Sequence, residues 1–187
     1  MAQQEYRLET NIAEAVLANL RVKRDFPREG VSFLDFNKCF CDSNIVSSLV
    51  SNFLSHISLS KDDLVLAPEA RGFILGPVIA NTVGCSFIPL RKKGKLPDFG
   101  NLRTEFYGTE YSDDAISLDL DLALKFKNRK VLIYDDVLAT GGTAKAALKL
   151  ASLFEPSEVN LCFLAEILSL EGSKSLGDNL FYSLLKF

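Results

Sequence analysis

Apolar residues in this chain follow two rhythms, and the alternation between them predicts the fold. Glu5 to Leu20 carries Leu8, Ile12, Val16 and Leu20 on one stripe, which reads as an opening amphipathic helix. Phe26-Pro27-Arg28-Glu29-Gly30 breaks it, and Val31 to Phe36 follows as a short extended piece. Asp42 or Ser43 can cap a second helix whose apolar set is Ile45, Leu49, Val50, Phe53 and Ile57. Short solid apolar runs then recur: Leu64 to Ala67, Cys85 to Leu90, Val131 to Tyr134 and Val159 to Ile167. All four read as strands, Leu64 to Ala67 and Val131 to Tyr134 as buried ones. Helical spacing separates them, through Ile74, Val78 and Ile79 and again from Ala144 to Phe154. Ala115 to Leu120 and Leu180 to Phe187 complete the strand set. Strand and helix in turn predict an α/β domain with a doubly wound, mostly parallel sheet flanked by helices. Nothing marks a linker or repeat, so residues 1–187 read as one domain. Only Arg91 to Asp114 departs from the rhythm, with many charges and glycines; so long a stretch predicts a functional lid or a hairpin.

The most informative segment is Val131-Leu-Ile-Tyr-Asp-Asp-Val-Leu-Ala-Thr-Gly-Gly-Thr143. A buried strand runs into two carboxylates, Asp135 and Asp136, and then a loop of small residues opens a helix. Gly141 and Gly142 let the backbone turn its N–H groups inward, and Thr140 and Thr143 add hydroxyl donors. The helix contributes unpaired N–H groups and the positive end of its dipole. Ala139 to Thr143 therefore suits a phosphate monoester, and the acids just ahead of it suit sugar hydroxyls. The loop has no Lys after its glycines, so it is not the nucleotide-binding G-x-x-x-x-G-K loop. Its spacing also differs from G-x-G-x-x-G.

Composition narrows the partners. The chain has 187 residues, 48% hydrophobic and 24% charged, which is ordinary for a globular domain with a proper core. A net charge of −3 argues against nucleic acid or an anionic membrane as a bulk partner. No signal peptide is apparent and no apolar stretch approaches the roughly 18 residues a span requires, so a cytoplasmic protein is expected. Cys39, Cys41, Cys85 and Cys162 lack the spacing of a metal or redox pair, and the single histidine, His56, reads as a helix-surface residue.

Two further strand ends carry cations. Ala67-Pro68-Glu69-Ala70-Arg71-Gly72-Phe73 sets Arg71 at a helix start, where its guanidinium could fork onto a diphosphate. Arg91-Lys92-Lys93-Gly94-Lys95 places four cations after the next strand, and beside two other phosphate-directed loops it reads as an anion site. The Asp-Asp-to-Thr143 segment resembles the 5-phosphoribosyl 1-pyrophosphate (PRPP) motif of the type I phosphoribosyltransferases. Phe26-Pro27-x-x-Gly30-x-x-Phe33-x-Asp35, Arg71 to Pro77, Arg91 to Pro97, Glu110-Tyr111 and Phe181 to Leu185 resemble the adenine-specific branch of that family, in this order.

The resemblance implies transfer of the 5-phosphoribosyl group from PRPP to adenine, giving AMP and pyrophosphate in purine salvage. It implies that Phe33 stacks on adenine while the backbone at Ser32 and Leu34 bonds the ring edge. Arg71, Arg91, Lys92 and Lys95 would hold pyrophosphate, and Asp135 and Asp136 the ribose hydroxyls. Ala139, Thr140, Gly141, Gly142 and Thr143 would hold the 5′-phosphate, and Glu110 would handle the proton at the purine. It also implies a base-binding hood within about residues 1–36, a mobile loop, and Mg²⁺ held mainly by PRPP and water. A homodimer with Lys95 reaching the neighbouring site and a cis peptide between Glu69 and Ala70 are further implications. Leu34, Ser112 and Pro68 stand where the family commonly has Arg, Gly and a less rigid residue. A phosphoribosyltransferase for another purine and a PRPP-sensing regulator remain as alternatives; the acidic chain and the short segment before Phe26 offer little for a DNA-binding module.

Overall fold

The computed structural model describes residues 12–26, 29–107 and 114–187, and the chain divides into two compact units, Met1–His56 and Ile57–Phe187. The expected start of the first helix at Glu5 lies outside the described residues, as does part of the expected break at Phe26 to Gly30.

In the first unit, helix α1 covers residues 12–19 and buries Ile12 and Val16, as their spacing requires. Strands β1 (Arg21–Lys23) and β2 (Phe33–Asp35) pair antiparallel, with Arg21 opposite Asp35 and Lys23 opposite Phe33. Arg21 and Asp35 also form an ion pair. Helices α2 (Asn37–Phe40) and α3 (Ser43–His56) follow. Asp42 accepts from the N–H of Asn44 at 2.8 Å, so the cap is Asp42. Phe36, Cys39, Leu49, Val50 and Phe53 are buried, while His56 is exposed at the end of α3.

The second unit is a seven-stranded sheet. Its elements are β3 (Leu64–Pro68), α4 (Gly72–Val83), β4 (Ser86–Lys92), β5 (Leu102–Phe106), β6 (Ala115–Asp119), α5 (Leu120–Ala123), β7 (Lys130–Leu138), α6 (Gly142–Ser152), β8 (Glu158–Glu166) and β9 (Leu180–Lys186). The strand order is β5-β6-β4-β3-β7-β8-β9. The five strands from β4 to β9 are parallel, and β6 and β5 add an antiparallel hairpin on one side. The mostly parallel sheet expected from the alternation is therefore present. The long polar stretch resolves in part as β5, which pairs with β6 from Leu102↔Asp119 to Phe106↔Ala115. The β7, β3 and β4 side chains Val131, Ile133, Leu64, Leu66, Ile88 and Leu90 form one core with Ala147, Leu150 and Phe154 from α6 and its end.

The order of connections fixes where a ligand fits. From β3 the chain crosses through α4 to β4 on one side; from β7 it crosses through α6 to β8 on the other. The crossovers part between β3 and β7, so a crevice opens at the carboxyl ends of those two strands. The motif strand differs from its expected end: the apolar run stops at Tyr134, but β7 continues through both acids to Leu138. Its partner β8 keeps pairing it, with Asp135 opposite Phe163 and Leu138 opposite Glu166.

Candidate active site

On the β7 side of the crevice the loop Ala139-Thr140-Gly141 leads straight into α6. Gly141 is the N-cap residue, with φ +79°, a left-handed conformation that favours glycine. No side chain caps the helix, and its first backbone bond runs from the Lys145 N–H to the Gly141 carbonyl at 2.8 Å. The N–H groups of the first turn are thus free of intrahelical partners and point into the loop. Asp135, Ala139 to Thr143 and Phe163 are among the residues lining a cavity of about 60 Å³ here. Among the described residues no lysine or arginine lines it, and the backbone and the threonine hydroxyls are its donors.

The loop is braced from behind by a segment the sequence did not single out. A Cβ on Gly141 would sit 1.9 Å from Ser175 Oγ and 2.5 Å from the Gly172 carbonyl oxygen. A Cβ on Gly172 would sit 2.2 Å from the Ala139 carbonyl oxygen. Each glycine therefore admits the other's backbone, and Ser175 fixes the turn by donating to Gly172 O at 2.6 Å. The signal available in sequence was Glu171-Gly172, which breaks helical continuity where Glu171 takes φ +52°.

Asp135 and Asp136 sit on adjoining positions of β7. Asp136 is only 2% exposed, and Arg71 Nε lies 3.0 Å from its Oδ2. The Asp136 N–H donates to Asp135 Oδ1 at 2.9 Å. Burial raises both carboxyls above the usual carboxylate range. The neighbouring Asp136 charge pushes Asp135 further up, whereas Arg71 holds Asp136 down. A pair of this kind is poised to receive hydroxyl donors or positive charge from a ligand.

On the β3 side, the Glu69–Ala70 peptide is cis and Arg71 precedes the first residue of α4. Glu69 reaches sideways to β4: Arg91 Nε donates to its Oε2 at 3.0 Å and the Lys92 N–H at 3.1 Å. The Arg91 bond is the main reason the Glu69 carboxyl is held below its ordinary value. Lys95 closes the turn after β4, its N–H donating to the Lys92 carbonyl at 2.9 Å, and its side chain is exposed. The structure thus brings Arg71, Arg91, Lys92 and Lys95 to the ends of β3 and β4. Sequence reading did not foresee that acids of the same crevice engage two of these cations.

Of the remaining expected residues, Ser32, Phe33 and Leu34 belong to the first unit. Leu34 is buried, and the Phe33 ring meets Phe26 edge-on at 5.4 Å between centroids. Glu110, Tyr111 and Ser112 lie outside the described residues.

Comparison with known proteins agrees with this geometry. Residues 43–178 match the family described as the phosphoribosyl transferase domain. An adenine phosphoribosyltransferase of Natranaerobius thermophilus is 41% identical over 154 residues, 82% of this chain and 88% of that protein. The crystal structure of adenine phosphoribosyltransferase from Thermoanaerobacter pseudethanolicus superposes with a TM-score of 0.84 at 34% identity, covering 94% of this chain and 99% of that one. The Saccharomyces cerevisiae enzyme, complexed with an imino-altritol bisphosphate and adenine, superposes at 0.81 with 29% identity, covering 94% and 99%. A sheet that opens between β3 and β7 over a PRPP-type loop defines the phosphoribosyltransferase class. Within that class, the chain belongs to the adenine phosphoribosyltransferase family.

Proposed function

We propose that this protein transfers the 5-phosphoribosyl group of PRPP to adenine, forming AMP and pyrophosphate. The observation that carries the reading is the crevice between β3 and β7, where a backbone-built phosphate loop, the acid pair Asp135–Asp136 and a cluster of cations meet. The three features match the three parts of PRPP. The α6 N-terminus takes the 5′-phosphate, Asp135 and Asp136 accept from the ribose hydroxyls, and Arg71, Arg91, Lys92 and Lys95 take the diphosphate.

Breaking the bond to diphosphate leaves positive charge on the ribose ring, and a carboxylate of the acid pair stabilises that charge electrostatically. The leaving diphosphate keeps its electrons and its negative charge among the cations at β3 and β4. Phe33 with the backbone of Ser32 and Leu34 takes the adenine ring, and Glu110 handles the proton displaced when the purine nitrogen gains the ribose. Mg²⁺ fits this donor set as an ion carried mainly by the substrate: the oxygen ligands of the crevice are few, and Arg71 and Arg91 already engage Asp136 and Glu69. When bound it neutralises charge on the diphosphate. Among the described residues no helix is long and apolar enough to cross a membrane; the reading is of a cytoplasmic enzyme. The reading includes a homodimer in which Lys95 reaches the neighbouring site.

The test is a base panel. Purified protein with PRPP and Mg²⁺ is offered adenine, hypoxanthine, guanine and xanthine in parallel, and pyrophosphate release is followed. Adenine should be turned over and the oxopurines left. Preference for an oxopurine would reassign the base, and release with no base at all would remove the transferase reading.

A further inference from the structure

Gly172 opens the short 3-10 turn Gly172–Leu176, part of the connection from β8 to β9 and outside the PRPP motif. The turn is anchored on its own side. Leu176 is buried in the core that α6 shares with the sheet, and its carbonyl accepts from Asn179 Nδ2 at 2.7 Å. Ser175 Oγ donates to the Gly172 carbonyl at 2.6 Å, and the Lys174 N–H donates to the Glu171 carbonyl at 3.0 Å. Just before the turn, the Ile167 N–H donates to the Leu138 carbonyl at 2.9 Å, so the phosphate loop and the connection to β9 leave the sheet from one tied point.

Gly172 does not take a positive φ, so its backbone would tolerate alanine. Contact is what excludes a side chain. A Cβ there would meet the Ala139 carbonyl oxygen at 2.2 Å, the Gly141 nitrogen at 2.9 Å and the Ala139 carbonyl carbon at 3.0 Å. All three are backbone atoms of the phosphate loop. With the turn anchored, one methyl group at residue 172 has to displace the loop. The displacement matters because this loop binds by backbone direction. A lysine side chain can follow a phosphate that has shifted, whereas a peptide N–H cannot, and its hydrogen bond weakens steeply once the angle closes.

We propose that Gly172 and Ser175 are positioning residues for the 5′-phosphate of PRPP: they act through the backbone of Ala139 to Gly141, holding its N–H groups where the phosphate needs them. The inference rests on the reading that the loop before α6 takes that phosphate. Coupling of this kind is reciprocal, so phosphate bound in the loop must tighten the turn in return.

The full chain is titrated with ribose 5-phosphate and, separately, with pyrophosphate, as wild type, Gly172→Ala, Ser175→Ala and the loop variant Thr143→Ala, with melting curves for each. Gly172→Ala should weaken ribose 5-phosphate roughly tenfold, one charge-assisted bond, and keep pyrophosphate within about twofold. Ser175→Ala is milder, removing only the hydroxyl that holds Gly172, and should weaken ribose 5-phosphate about fivefold. In wild type, saturating ribose 5-phosphate should slow amide hydrogen exchange across residues 172–176, and pyrophosphate should not. That readout needs no variant. It also separates positioning from support, because a turn that only held the fold would lower the melting temperature without discriminating between ligands. Folded Gly172→Ala or Ser175→Ala protein that binds ribose 5-phosphate like wild type, while Thr143→Ala binds it more weakly, would overturn the proposal and leave the phosphate-loop reading intact. Equal loss of both ligands in the two turn variants, or exchange at residues 172–176 that ignores ribose 5-phosphate, would overturn it as well. Unchanged ribose 5-phosphate affinity in Thr143→Ala and Gly172→Ala together would remove the phosphate-loop reading itself.

Discussion

The two sides of the crevice are built on opposite principles. On the β7 side the phosphate loop is made of backbone, carries no lysine or arginine, and is locked from behind by Gly172 and Ser175. On the β3 side the anion site is made of long cationic side chains, and two of these pair with acids: Arg71 with Asp136, and Arg91 with Glu69. A backbone site is preorganised and needs no rearrangement to accept a phosphate. A side-chain site holds its cations in place with internal counter-ions, and a diphosphate has to compete with those acids. The difference teaches which half sets affinity by shape and which by charge.

Substitutions should separate the halves, and the largest effect is expected at Gly141. Gly141→Ala forces a side chain into the left-handed region and against Ser175 Oγ and the Gly172 carbonyl, and the backbone carbonyl cannot swing aside. Losing the aligned N–H donors should lower kcat/KM for PRPP by on the order of 100-fold, the value of two hydrogen bonds to a charged group. A change below tenfold in a folded variant would break the claim that the loop is rigid. Next is Arg71→Gln, which removes the counter-ion of a nearly buried carboxylate. PRPP affinity should fall roughly tenfold, one charge-assisted bond. The variant should lose more melting temperature at pH 8 than at pH 5, since Asp136 can take up a proton at the lower pH. Equal losses at both pH values would show that the ion pair is not what holds Asp136.

Smaller effects test the charge balance itself. Glu69→Gln releases Arg91 and the Lys92 N–H from their internal acceptor. Pyrophosphate should bind a few-fold tighter, with the gain shrinking as salt is added. Because the Glu69 carboxyl is held below its ordinary value, its contribution to stability is present above about pH 4.5 and fades as pH falls. The melting-temperature cost of Glu69→Gln should therefore vanish under acid. Asp135→Asn has the opposite sign. The folded protein holds the Asp135 proton more tightly than the unfolded chain does, so stability is lost as pH rises from about 4 through the raised value. The variant should melt about 2–4 °C higher than wild type at pH 8, the span of about 1 kcal/mol in a domain of this size, and the gain should shrink at pH 4.

What the sequence revealed follows the same division. The phosphate loop is legible because its demands are local: a positive φ needs Gly, a helix start needs small donors, and Asp135 to Thr143 supplies both in order. Strands β3 and β8 are legible because both of their faces are buried, which forces solid apolar runs, and β4 because Ile88 and Leu90 are buried on one face while Phe87 and Pro89 are half-buried on the other. Strand β5 reads as polar, Leu-Arg-Thr-Glu-Phe, since it is an edge strand whose fold comes from β6 and α6. The last residues of β7 are strand because β8 pairs them, not because of their own pattern. The Arg71–Asp136 pair, the Glu69–Arg91 pair and the Gly172 brace join residues far apart in the chain, so no local rule reveals them.

The contrast between the halves is tested most directly by crossing two ligands with two variants. Ribose 5-phosphate and pyrophosphate are each titrated calorimetrically into wild type, Gly141→Ala and Arg91→Gln, with melting curves to confirm folding. The predicted result is a double dissociation. Gly141→Ala loses ribose 5-phosphate while keeping pyrophosphate within about twofold, and Arg91→Gln weakens pyrophosphate roughly tenfold while leaving ribose 5-phosphate unchanged. Folded variants that lose both ligands together, or a Gly141→Ala protein that binds ribose 5-phosphate like wild type, would contradict the division of the crevice into a backbone half and a charged half.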